Sequence, residues 1–173
     1  MKLLPPAAEV GTIGEAMIPA DLYFVARDPV ALVGMGYPAR VDWRALHAAG
    51  VGHVVCLTHD DPPPYDCTPL RCTAIALTDL YSRPVGPSDR FEERRRVEQA
   101  AAAAVESITA GVGVAVHCRG GRGRTGTVIG LVLVHFGHRP ERVVDYLDRL
   151  HRARGKDGWP ESPWQAAVVM GQA

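Results

Sequence analysis

Cys118 and Arg124 stand six positions apart within His117-Cys118-Arg119-Gly120-Gly121-Arg122-Gly123-Arg124-Thr125-Gly126. These residue types at this spacing can carry phosphoryl transfer. A free thiol ionises near pH 8.5, but a helix N-terminus and nearby cations lower that strongly. The thiolate is then a nucleophile that needs no dedicated base. Arg124 can close over two oxygens of a phosphate. Backbone N–H groups from Arg119, Gly120, Gly121, Arg122, Gly123 and Arg124 can cradle the remaining oxygens and stabilise the group in transfer. Thr125 can donate its hydroxyl to the sulfur and help it leave in a second step. His117 can fix the loop through its ring nitrogens. A lone cysteine is most simply a small buried hydrophobe, but here the histidine, glycines, arginine and threonine coincide with it. A nucleotide P-loop is excluded, because Gly121 to Thr127 lacks the lysine of that motif.

Such a loop needs elements to hold it. Val112 to Val116 is short and β-branched and reads as a buried strand. The apolar run 127–134 begins after Thr125 and stops at Phe136-Gly137, which reads as a helix with a glycine stop. The loop therefore joins a strand to a helix N-terminus, where N–H groups converge on an anion. Glycines allow the tight curl and the close approach.

Thiolate attack also requires a proton for the leaving oxygen, hence a general acid. Thr73 to Leu77 is a plausible strand, with Asp79 just past its end. Cys118 stands just past the end of its own strand, and in an α/β sheet such positions share one rim. Asp79 is thus the candidate acid, with Asp60, Asp61 and Asp89 as rivals.

The segment 117–126 resembles the H-C-x-x-G-x-x-R-[ST]-G signature of the cysteine-dependent protein tyrosine phosphatase superfamily, at His117, Cys118, Gly121, Arg124, Thr125 and Gly126. The resemblance implies Asp79 as the acid on a mobile loop, with Thr78 in place of the usual proline. Residues 20–26, 32–35 and 53–58 look like the early strands of small atypical dual-specificity phosphatases. Glu161-Ser-Pro-Trp-Gln165 looks like the segment carrying a water-orienting glutamine, which would make Gln165 a partner of the hydrolytic water. The long phosphotyrosine-recognition insert of classical members is missing, which implies a shallower pocket and wider substrate choice. Arg119 and Arg122 resemble the basic loop residues of members acting on polyphosphorylated inositol lipids; the other reading is that they attract any anion or brace the loop.

The resemblance implies a single α/β domain, with a mostly parallel central sheet flanked by helices. It implies a phosphomonoester hydrolase working through a cysteinyl-phosphate, without metal or organic cofactor. The substrate would be a phosphorylated protein or another phosphate monoester, including a phosphoinositide. A phosphate-recognition module without turnover is the alternative from another class.

The chain has 173 residues, which suits one domain, and 19 basic against 19 acidic residues, which gives no general affinity for nucleic acid. Charge is uneven, however. No Asp or Glu lies between Glu106 and Glu141, while Arg119, Arg122, Arg124 and Arg139 do. No secretory leader and no bilayer-spanning run is expected, and four cysteines make no disulfide framework. These features point to the cytoplasm.

Residues 1–19 read as an extended arm and 20–173 as the phosphatase domain. Helices are expected over 41–50, from Ser88 or Asp89 to Ala110, over 140–154, and from Ser162-Pro163 onward. In the second of these, Phe91, Val97, Ala101, Val105 and Ile108 form the apolar stripe, and residues 92–96 a solvated charged face. Cys56 ends a strand that should border Val112–Val116. It is the candidate for a reversible disulfide with Cys118, with Cys67 and Cys72 behind it.

Overall fold

A computed structural model describes residues 1–5, 22–78 and 86–173. Six strands form one sheet: β1 Lys2–Leu3, β2 Tyr23–Asp28, β3 Leu32–Met35, β4 Val51–Cys56, β5 Arg71–Ala74 and β6 Gly113–His117, in the order β1-β2-β3-β6-β4-β5. The β3–β6, β6–β4 and β4–β5 pairs are parallel, and the β1–β2 and β2–β3 pairs antiparallel. The sheet is therefore mostly parallel, with β6 central and buried along its whole length. Lys2 and Leu3 cover the outer edge of β2, which would otherwise present unpaired backbone.

Helix α1, Trp43–Ala48, packs on one face of the sheet. Helices α2 Pro87–Thr109, α3 Gly123–His135, α4 Pro140–Ala153 and α5 Pro163–Val169 cover the other. Strand alternation divides the core accordingly. Val55, Leu57, Val116 and Cys118 face the four-helix layer, while Val54 and Ala115 face α1.

Several boundaries differ from the sequence reading. Strand β5 ends at Ala74, short of Leu77, although Ile75 and Leu77 still donate to the carbonyls of Cys56 and Leu57. Helix α2 is capped by Gly86, not Ser88 or Asp89, since Pro87 occupies its first turn. Phe91 is 72% exposed, and the buried stripe runs instead through Glu93, Val97, Ala100, Ala104 and Ile108. Six residues advance a helix by roughly 600°, so Phe91 falls on the side away from Val97.

Candidate active site

The loop after β6 is shaped by glycines and locked from behind. Gly121 has φ of +62°, and a Cβ there would lie 2.5 Å from the Met35 carbonyl carbon, so only glycine fits on both counts. Its carbonyl accepts from Tyr23 Oη at 3.1 Å and from an Arg154 guanidinium N–H at 3.3 Å. The Gly123 carbonyl accepts from Trp159 Nε1 at 3.2 Å and Thr127 Oγ1 at 2.9 Å. In a trans peptide the N–H points opposite to the C=O. These anchors therefore turn the Arg122 and Arg124 N–H groups away from the core. Helix α3 begins at Gly123 with no side-chain cap at Arg122, which leaves its first-turn N–H groups for an anion.

Cys118 is buried against this helix layer. Thr125 is fully buried, and its Oγ1 has no hydrogen-bond partner among the described residues. Arg124 donates to the Leu77 carbonyl at 3.0 Å. A cavity of about 460 Å³ opens beside the loop, lined by Tyr37, Thr58, His59, Arg119 and Arg124. Arg119 is exposed on its wall. Arg122 turns elsewhere: its guanidinium lies 3.2 Å from Glu161 and 3.5 Å from Asp157 and braces the loop. Gly120 is exposed.

His117 is fully buried. Its Nε2 lies 2.5 Å from Tyr65 Oη, and its Nδ1 lies 3.4 Å from the Cys118 carbonyl oxygen. Register sets Cys56 opposite His117. Burial opposes ionisation of Cys56, but hydrogen bonds from the His117 ring and Thr58 outweigh it and bring its pKa down to about 5. Burial, with Cys56 and Cys72 alongside, pushes the Tyr65 phenol up.

The expected link between Cys56 and Cys118 meets an obstacle. Cys56 shares the α1 face with His117, Tyr65 and Trp43, whereas Cys118 faces α3. Adjacent strands bring the two residues near in register, but the pleat sends their thiols to opposite sides of the sheet.

Gln165 is buried. Its Oε1 accepts from the backbone N–H of Glu161 at 2.8 Å and of Ser162 at 3.4 Å, in a capping box. Its amide nitrogen packs on Gly123.

Asp79 lies outside the described residues. Of its rivals, Asp60 is exposed and held by Arg96 and the Ala76 N–H, and Asp61 is exposed. Asp89 is exposed near Glu93, a carboxylate that the charged run 92–96 would place in solvent. Glu93 is 4% exposed. Its phase with Val97, Ala100 and Ala104 was the available signal.

Among the described residues no helix is long and apolar enough to cross a membrane. No curated protein sequence gives a significant match. Human DUSP28 superposes with a TM-score of 0.65 at 20% identity, covering 91% of this chain and 95% of that one. A mouse putative dual specificity phosphatase complexed with zinc tungstate gives 0.65 at 20% identity, covering 95% and 92%. PTPMT1 in complex with PI(5)P gives 0.60 at 16% identity, covering 82% and 88%. At these identities the likeness is one of fold. The family described as "PTP-SAK: Swiss Army Knife protein, DSP-PTPase phosphatase domain" matches residues 23–159, most of the chain, and the chain therefore belongs to that family of DSP-PTPase phosphatase domains.

Proposed function

We propose that the protein hydrolyses phosphate monoesters, of a phosphorylated protein or a smaller ester, through a cysteinyl-phosphate. Cys118 attacks phosphorus in line, and the phosphoryl–oxygen bond to the leaving group breaks. Asp79 supplies the proton to that oxygen. The loop N–H groups and Arg124 hold the three equatorial oxygens. Thr125, whose buried hydroxyl has no hydrogen-bond partner among the described residues, can donate to the sulfur as the phosphoryl group departs. Asp79 then takes a proton from the attacking water. Gln165 could aid this step only through its amide nitrogen, since its oxygen serves the capping box. His117 holds the loop from beneath.

The observation that carries this reading is the placement of Cys118 just past a central strand and of Arg124 in the first turn of the helix that follows, whose N-terminus has no side-chain cap among the described residues. The test is hydrolysis of a chromogenic aryl phosphate in the presence of a metal chelator. Wild type turns over, and Cys118→Ser binds inorganic phosphate but does not turn over. Turnover by a folded Cys118→Ser protein refutes the mechanism. Phosphate binding by wild type without turnover makes the protein a recognition module instead.

A further inference from the structure

A carboxylate buried with one oxygen unsatisfied is costly, so its presence asks for a reason. Glu93 is in that state. Its Oε2 accepts from the Thr78 N–H at 3.0 Å, while its Oε1 is buried with no hydrogen-bond partner among the described residues. Burial pushes its carboxyl up, against hydrogen bonds from both the backbone N–H and the hydroxyl of Thr78 and the charges of Arg124 and Arg96.

The Thr78 N–H belongs to the peptide that joins Leu77 to Thr78. The carbonyl of that same peptide accepts from Arg124 at 3.0 Å. One peptide group thus stands between the carboxylate and the guanidinium, charge-assisted at both ends. Each charge polarises the hydrogen bond that the other uses. The segment does not need Glu93 to stay in place. Ile75 and Leu77 donate to Cys56 and Leu57, and the Ala76 peptide groups are held by Asp60 and Arg96. The extra anchor falls on the peptide that Arg124 grips.

We infer that Glu93 is a positioning residue for the phosphate loop, orienting the Arg124 guanidinium through the Leu77–Thr78 peptide. This rests on the proposed function insofar as it takes Arg124 as the ligand of phosphate.

The test uses the full chain, with Glu93→Gln, Glu93→Ala and each combined with Arg124→Lys. Affinity for inorganic phosphate by calorimetry is measured beside kcat/KM on an aryl phosphate and Tm. Glu93→Gln keeps an acceptor for the Thr78 N–H but removes the charge. It is expected to weaken phosphate binding and lower kcat/KM by about tenfold, roughly the effect of losing charge assistance from one hydrogen bond. Its Tm stays at or above that of wild type, because a poorly solvated carboxylate is gone. In the Arg124→Lys background the same change has little further effect, as expected if it acts through Arg124. Affinity and kcat/KM within twofold of wild type overturn the inference. So does an undiminished loss in the Arg124→Lys background, or a fall in Tm with phosphate binding unchanged. If wild type binds phosphate without turnover, only the hydrolysis reading falls, and the affinity series still decides the role of Glu93. A wild type that binds no phosphate overturns both.

Discussion

At the scale of single residues, the two loop arginines part company. Arg122 is neutralised by Glu161 and Asp157 behind the loop, while Arg119 stands on the cavity wall. An anion with phosphates beyond the scissile one therefore meets Arg119. Arg119→Ala is expected to weaken competitive inhibition by a multiply phosphorylated inositol by up to about fivefold, the range of an exposed ion pair. Arg122→Ala should instead lower Tm and depress affinity for all phosphates alike. Inhibition constants and melting curves for both variants check this; equal selectivity losses would merge the two roles. Asp79 is tested through its leaving group. Asp79→Asn should slow an alkyl phosphate by about 10²–10⁴, and an activated aryl phosphate far less, because the latter hardly needs a proton. Equal losses on both would make Asp79 structural.

At the scale of elements, the pleat of β4 and β6 decides the fate of the thiols. Cys56 faces His117 and Tyr65, and Cys118 faces α3. Mild peroxide should carry Cys118 up the oxidation ladder without a Cys56 adduct. Peptide mapping reads this directly, and a Cys56–Cys118 disulfide would mean that the carboxyl end of the sheet rearranges. The loop's turn is equally exacting. Gly121→Ala places a methyl against the Met35–Gly36 backbone at positive φ. It should cost about 1–3 kcal/mol of stability and most of the affinity for phosphate, measured by denaturant melts and calorimetry.

At the scale of the whole molecule, two buried histidines tie stability to pH. Burial, then the Arg71 charge, brings His53 down to about 4. Burial, then Arg154, Arg122 and Lys156, brings His151 down to about 3. His53 bonds to Ser107 at 2.7 Å and Thr73 at 3.0 Å, linking α2 to β4 and β5. His151 lies 2.7 Å from the Arg154 guanidinium, which reaches the Gly121 carbonyl of the loop after β6. Both pKa values are lowered on folding, so the unfolded chain binds protons first as pH falls below about 6.5. Stability should therefore decline from pH 6.5 toward 4 and below, by on the order of a few kcal/mol. Melting temperatures across that range for wild type, His53→Gln and His151→Gln check the sign. A slope unchanged by both substitutions would assign the acid loss to other groups.

The strand–loop–helix that carries Cys118 and Arg124 was legible in the sequence because its determinants are local. Cys118, Gly121, Arg124 and Thr125 lie on contiguous chain; a short β-branched run before them marks the strand, and an apolar run with a glycine stop after them marks the helix. The helices over 43–48, 140–153 and 163–169 were marked by their own caps, prolines and glycines for the same reason. What depended on distant segments was decided only by the tertiary structure. Packing on β6 and α3 chose which of the possible helix faces is inside, and so buried Glu93 with Val97, Ala100 and Ala104 and exposed Phe91. The carboxylates that neutralise Arg122 come from 35 and 39 residues further along the chain. The face that each thiol takes follows from the register of two strands nearly sixty residues apart. Charge and hydrophobic pattern state what a residue can do, but its partner is fixed only when remote elements pack against it.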